Sequence, residues 1–274
     1  MGSRLRAIAD ANARIVAAGE YTTDDGTVVV VRPALDAAVS GTVSHPPDGF
    51  LEQAPGGHRT SFEVTAEGSL QGAGRLHRDG AERVAVLNFA SARNPGGGYV
   101  GGARAQEEDL CRNALLYPCL LQAPDYYAAH RASPDLLYSH RVIWSPGVPV
   151  HRDDDGRLLA EPYPVSFLTS PAPNAGEALR RDPGAGGLIR RALHQRAERV
   201  LAVAAHHGAR QLVLGAWGCG VFRNDPHEVA EAFHAHLVDG AFAGAFERVL
   251  FAVWDRSPDS ANRAAFAERF AADQ

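Results

Sequence analysis

Three consecutive glycines, Gly96, Gly97 and Gly98, are separated by seven residues from Gln106, Glu107, Glu108 and Asp109. Backbone without Cβ atoms can approach a ligand closely, and successive N–H groups in such a stretch can converge on phosphate oxygens or wrap a sugar. A carboxyl group beside that loop supplies complementary chemistry, a proton for a departing oxygen or a negative charge for a developing cation. Acids in a first helical turn also complement the helix dipole, by about 0.3–1 kcal/mol each. That effect accounts for acidic residues in general, and not for a glutamine and two glutamates beside a glycine loop. Side chains of helix neighbours diverge by about 100°, so Glu107 and Glu108 cannot both point straight at one atom. One is expected to be the chemical group and the other a sugar-binding or supporting group.

A second glycine turn occupies residues 215–225, with Gly215, Gly218 and Gly220 between a strongly apolar stretch and a helix that Asn224 or Asp225 can cap. Free amides and a helix N-terminus meeting there outline an anion site. The turn is not a P-loop, since no Gly-Lys-Ser/Thr follows, and its G-x-x-G-x-G spacing inverts the dinucleotide fingerprint. Two such turns on one sheet edge would suit a diphosphate.

The elements that must hold these turns are readable from periodicity. Residues 3–18 place Leu5, Ile8, Ala9, Ile15 and Val16 on one helical face, with Gly19 as the stop. The four valines within residues 27–32 read as a buried strand, and residues 60–66 as a strand with one wet face. The Pro/Gly-rich stretches at 44–50 and 53–59 between them read as loop. Strands are expected at 84–90, 140–145, 164–170, 211–217 and 248–254. Helices are expected at about 105–117, near 124–132, at about 186–207, at 226–238 and after Ser257. The helix over 186–207 carries Ile189, Leu193, Val200, Leu201 and Ala204 inward, with Gly208 as its cap. Strands alternating with helices imply a mixed, mostly parallel sheet covered on both faces, which binds ligands at the carboxyl ends of its strands.

Composition narrows the classes. The 274 residues are 45% hydrophobic, enough for a core of real size. The formal charge of -5 argues against a broad basic face, so no direct nucleic-acid binding is expected. The opening residues lack a signal-peptide apolar stretch and, with Arg6 at the required Ser/Thr position, the myristoylation pattern; no run approaches a membrane span. A cytoplasmic protein with no membrane partner is the expectation. Cys111, Cys119 and Cys219 form no disulfide framework or metal spacing, and the twelve histidines include no H-E-x-x-H, so no metal and no cofactor are expected.

The stretch from Leu87 to Arg112, with its GGG, seven-residue spacer and QEE, resembles the signature of poly(ADP-ribose) glycohydrolases, in particular the smaller, bacterial branch of that family. The resemblance is strongest over residues 84–117 and 211–225. It implies an α/β fold, a macrodomain-like sheet with helices on both faces, preceded by an N-terminal helical and strand extension. The expected division is residues 1–80 as an extension packed on the core and 81–274 as the catalytic core, within one compact unit. It further implies that Glu108 is the catalytic acid and that Glu107 holds ribose hydroxyls. Gly96, Gly97, Gly98, Tyr99 and Val100 would wrap the scissile ribose. The diphosphate would lie on Gly218, Cys219, Gly220, Val221 and Phe222, the Phe222 ring fixing sugar and base. Asn88, Ala90, Ser91 and Gln106 complete the expected substrate contacts. The implied partners are poly(ADP-ribose) or ADP-ribosylated proteins, with ADP-ribose as product of an exo-acting enzyme. The alternatives are an ADP-ribose-binding macrodomain reader and a mono-ADP-ribosyl hydrolase.

Two-carboxylate glycosidases place their acids about 5–9 Å apart across the sugar. Adjacent glutamates do not offer that arrangement, so a single carboxyl is expected to act as acid and then as base.

Overall fold

The computed structural model describes residues 2–52 and 56–273. The first part of the chain forms α1 (Gly2–Ala18), β1 (Glu20–Thr22), β2 (Val28–Val30), α2 (Arg32–Ser40), β3 (Val43–His45), β4 (Ser61–Thr65) and α3 (Ser69–Arg78). It continues through β5 (Val84–Phe89), α4 (Gln106–Asn113), α5 (Tyr117–Leu120), α6 (Pro124–Ala132), β6 (Val142–Arg152), β7 (Leu158–Ser170), α7 (Ala175–Arg181) and α8 (Gly186–His206). β8 (Gln211–Leu214), α9 (Pro226–Leu237), β9 (Arg248–Ala252) and α10 (Ala261–Arg269) complete it.

Seven strands form one sheet in the order β3-β6-β7-β5-β8-β9-β4. β7, β5, β8, β9 and β4 pair in parallel, and β6 and β3 are added antiparallel. The edge strands β3 and β4 both come from the first 80 residues. Successive side chains of β5 enter opposite layers, which is why the strand is apolar without alternation. Val84 and Val86 pack with residues of α1 to α6, while Ala85 and Leu87 pack with α7 to α10. Full burial of each such valine or leucine contributes about 1.5–3 kcal/mol. The same alternation sends Asn88 to the α4 side of the sheet, where it meets Glu107.

Several elements differ from expectation for identifiable reasons. The valine run is not one buried strand. Val29 is buried, Val28 and Val30 are 59% and 63% exposed, and Val31 is the N-cap of α2. β2 pairs only with β1, in a two-stranded ribbon with one covered face. The stretch expected as loop contains β3, preceded by the unexpected α2; residues 53–55 lie outside the described residues. α3 escapes detection because Gly72 and Gly74 interrupt its apolar pattern. A Cβ on Gly72 would lie 2.7 Å from the Leu250 side chain, so the gap in the pattern is where the helix touches the sheet. α4 ends at Asn113 rather than near 117, because Ala114 bridges to Val150. β6 and β7 extend well beyond the expected spans, to a hairpin around Asp153–Arg157. Their prolines disguise this length. Pro149 pairs with Pro164, and β3 covers β6 only over Val142–Trp144, so missing N–H groups are tolerated beyond it. Among the described residues, no helix is long and apolar enough to cross a membrane.

Candidate active site

The ladder between β5 and β8 ends at Val86 and Val213, and Gln106 takes over beyond it. Its Oε1 accepts from the Phe89 N–H at 2.9 Å, and its Nε2 donates to Leu87 O at 2.8 Å and to Ser69 Oγ at 3.0 Å. A carboxamide carries both donor and acceptor, so it imitates a neighbouring strand where a carboxylate could not. These bonds hold Gln106 on the sheet, where it seats the start of α4.

That anchoring sets the next two side chains. Glu107 is 2% exposed. Its Oε2 accepts from the Ser91 N–H at 2.6 Å and its Oε1 from Asn88 Nδ2 at 3.3 Å. Burial drives its pKa up to about 8, against the opposing pull of these donors, with the neighbouring Glu108 adding to the rise. Asn88 also donates to Thr169 Oγ1 at 3.1 Å, and its buried Oδ1 has no partner among the described residues. The Ser91 hydroxyl accepts from the N–H groups of Arg93 and Asn94, closing the turn into the glycines. The Ala90 N–H donates to Ser170 O on β7.

Glu108 is 7% exposed, and its Oε1 accepts from the Gly98 N–H at 2.8 Å. Its Oε2 is buried without a hydrogen-bond partner among the described residues. Gly97 sits at φ +58°, and a Cβ there would lie 2.5 Å from Glu108 Oε1 and 3.2 Å from Glu107 Oε2. The loop is glycine because both carboxyl groups occupy the space of a side chain.

Tyr99 follows the three glycines in this loop. Its side chain is 4% exposed and turned into the protein, where its hydroxyl accepts from Asn12 Nδ2 at 3.1 Å. Burial pushes that hydroxyl up to about 12, so it stays neutral. Val100 beside it is 58% exposed.

Asn12 is a residue that sequence reasoning missed. Its Nδ2 also donates to the carbonyls of Cys111 and Arg112, and its Oδ1 accepts from Arg152 and meets His151 Nε2 at 3.0 Å. The signal was present: a polar residue lies within the apolar face of α1, between Ala9 and Ile15. From the same helix, Arg6 Nε donates to Gly101 O at 2.9 Å.

The second turn starts beside the first, since β8 adjoins β5 in parallel. Gly218 has φ +72°, and a Cβ there would meet Ala172 Cβ at 2.3 Å and Asn224 Nδ2 at 2.6 Å. Asn224 is buried and braces the turn, donating to Pro173 O and Gly218 O, while Asp225 caps α9 by accepting from the His227 N–H. Among the described residues, no protein acceptor takes the N–H groups of Gly218, Gly220, Val221 or Phe222. Gly220 is exposed, Val221 is 86% exposed, and the half-buried Phe222 ring lies 5.9 Å from that of Tyr138. The Cys219 thiol is pushed up to about 12 by burial, which leaves it neutral and a poor nucleophile. Its place in the turn is defined by its backbone. No group of three or more potential metal ligands occurs among the described residues.

Paired buried carboxyls at a glycine loop, with unclaimed amides after the adjacent parallel strand, are the groups a sugar-phosphate hydrolase on a macrodomain-like sheet requires. Residues 9–153 match the family model described as the microbial-type PARG catalytic domain. The chain is similar to the crystal structure of poly(ADP-ribose) glycohydrolase from Thermomonospora curvata, with 50% identity and a TM-score of 0.92 over 98% of this chain and 100% of that one. The same enzyme bound to the inhibitor ADP-HPD aligns with 49% identity and a TM-score of 0.89, at the same coverage. The Deinococcus radiodurans poly(ADP-ribose) glycohydrolase in complex with ADP-ribose aligns with 46% identity and a TM-score of 0.80, over 88% of this chain and 98% of that one. No curated protein matches. The chain belongs to the microbial-type poly(ADP-ribose) glycohydrolase family, and its activity is hydrolysis of the polymer's O-glycosidic bonds.

Proposed function

We propose that Glu108 is the general acid and base of this hydrolysis and that the enzyme works from the chain end, releasing ADP-ribose. The observation that carries the assignment is the asymmetry of its carboxyl group: Oε1 is held by the Gly98 N–H, and Oε2 is buried and unclaimed. A proton on Oε2 passes to the ribosyl oxygen as the bond from the anomeric carbon to that oxygen breaks, leaving an oxocarbenium ion. The Glu108 carboxylate then removes a proton from a water whose oxygen attacks the anomeric carbon. Both products are neutral at the new hydroxyls and the acid is restored.

Glu107 complements this role. A protonated carboxyl, the form that burial favours here, keeps acceptor capacity and adds an O–H, so Glu107 can pair with a ribose hydroxyl beside the donors it already has. The diphosphate is assigned to the amides of residues 218–222, with Phe222 against the sugar and base. The ADP-ribose complex of the D. radiodurans relative supports a site that takes one ADP-ribose unit, and such a site at a chain end releases one unit per event.

Incubation with automodified polymerase, following free ADP-ribose and remaining chain length, tests the reading. Glu108→Gln is expected to lose about 10²–10⁴-fold in kcat while still binding ADP-ribose. Native cleavage by that variant overturns the acid, and oligomeric first products overturn the chain-end action.

A further inference from the structure

Arg196 stands in the inward stripe of α8, between Leu193 and Val200, and is 0% exposed. No carboxylate lies within salt-bridge distance of it among the described residues. Burial pulls its pKa down to about 10, which leaves it charged at neutral pH. A buried cation without a counter-charge is costly, so its retention needs a reason.

Its hydrogen bonds supply one. Nη1 donates to Pro171 O at 2.9 Å, and Nη2 donates to Leu137 O at 2.6 Å and Tyr138 O at 3.1 Å. One planar fork thus joins two segments more than thirty residues apart in sequence. The segment after β7 is tied in turn to the diphosphate turn: Trp217 Nε1 donates to Ser170 O, Asn224 Nδ2 to Pro173 O, and the Gly176 N–H to Phe222 O. Ala172 is the residue against which Gly218 packs. On the other side, the Asn174 N–H donates to Leu136 O. The backbone is strained where these segments converge. Tyr138, whose ring faces Phe222, and Arg223, which follows it, have φ of +59° and +55°, a conformation that non-glycine residues hold only when their surroundings impose it.

We propose that Arg196 is a positioning residue for substrate: it locks the Tyr138 loop, the segment after β7 and the 217–224 turn into one unit, and its charge favours the diphosphate bound there. This rests on the assignment of the diphosphate to that turn. Arg196 touches no reacting atom, so its loss is felt in binding. A role in stability alone would lower the melting temperature and leave ADP-ribose affinity and KM untouched.

The test compares Arg196→Met and Arg196→Lys with native enzyme, by calorimetric titration with ADP-ribose and by steady-state kinetics below the unfolding transition. Arg196→Met is expected to weaken ADP-ribose binding and raise KM at least tenfold while kcat changes less than threefold. Arg196→Lys keeps the charge but loses the fork, and falls between. Where Arg196→Met does not fold, Arg196→Lys decides, with hydrogen exchange accelerated at residues 137–139 and 217–224 but not in β5. Affinity and KM within twofold of native in the folded variants, or a fall in kcat alone, overturns the proposal. Val221→Asp, an added negative charge on the exposed turn, separates the two readings. Native ADP-ribose affinity in Val221→Asp removes the diphosphate from the turn itself, whereas weakened binding there beside unchanged Arg196 variants rejects only the role of Arg196.

Discussion

The two sides of the site are built on opposite principles. The acid side is dry: Asn88, Glu107, Glu108, Tyr99 and Arg112 are all buried, and α1 reaches across the sequence to brace the loop and α4 through Asn12. The side proposed to take the diphosphate is open: Gly220 and Val221 are exposed, and its unclaimed donors are main-chain amides. A proton donor must be fixed and shielded from water, because its ionisation state and its angle both matter. An anion cradle needs only amides of fixed direction, and these are best left accessible to a long charged polymer. The contrast predicts that changes on the acid side act on ionisation and kcat, and changes on the turn act on KM.

The largest expected effect is the pH dependence attached to Glu107. Its folded pKa of about 8 lies above the ordinary value of 4.5, so the folded state binds the proton more tightly than the unfolded state. Its contribution to stability is full below about 4.5 and is lost as pH rises to about 8, by up to roughly 5 kcal/mol. The buried His45 and His130 and the half-buried His140 and His207, all lowered to about 4 chiefly by burial, act in the opposite sense as pH falls below 6.5. The difference between native and Glu107→Gln melting curves isolates the glutamate. Native stability relative to this variant should decline from pH 5 to 8; a flat difference means that the carboxyl is ionised throughout.

Next in size is Gly97→Ala. The new methyl would occupy the space of Glu108 Oε1 and sit at an unfavourable φ. Displacing the acid by about 1 Å costs on the order of 10² in rate, so kcat should fall about a hundredfold with ADP-ribose affinity largely kept, as titration of the folded variant would show. Equal losses in kcat and affinity would erase the division between the two sides.

How much of this was legible beforehand follows the same division. The carboxyls and glycines were readable because their chemistry depends on residue type and short spacing, and both turns follow short, buried, mostly apolar strands, β5 and β8. Gln106 and Tyr99 were readable as members of the motif but not in their side-chain partners, because a side chain's direction is decided by what packs around it. Asn12 and Arg196 each occupy one polar position in an apolar helical stripe, a pattern that marks an anomaly without naming partners about a hundred residues away or in two separate loops. α2, α3 and the extended hairpin of β6 and β7 were hidden by proline and glycine, which lower local propensity while tertiary contacts decide the outcome.

The smallest effect concerns the aromatic pair on the open side. Phe222 and Tyr138 lie 5.9 Å apart between ring centroids, tilted by 43°, a geometry in which a pair contributes about 0.5–1.5 kcal/mol beyond its area. Phe222→Ala should raise KM up to about tenfold, the equivalent of roughly 1.4 kcal/mol, and leave kcat near native, because no reacting atom depends on the ring. Tyr138→Ala should act in the same direction, and the double variant should show less than the sum, since each ring loses its partner only once. Additive effects in that cycle would mean that the rings serve the ligand separately. A fall in kcat with KM unchanged would place Phe222 with the acid and break the comparison from its weaker side.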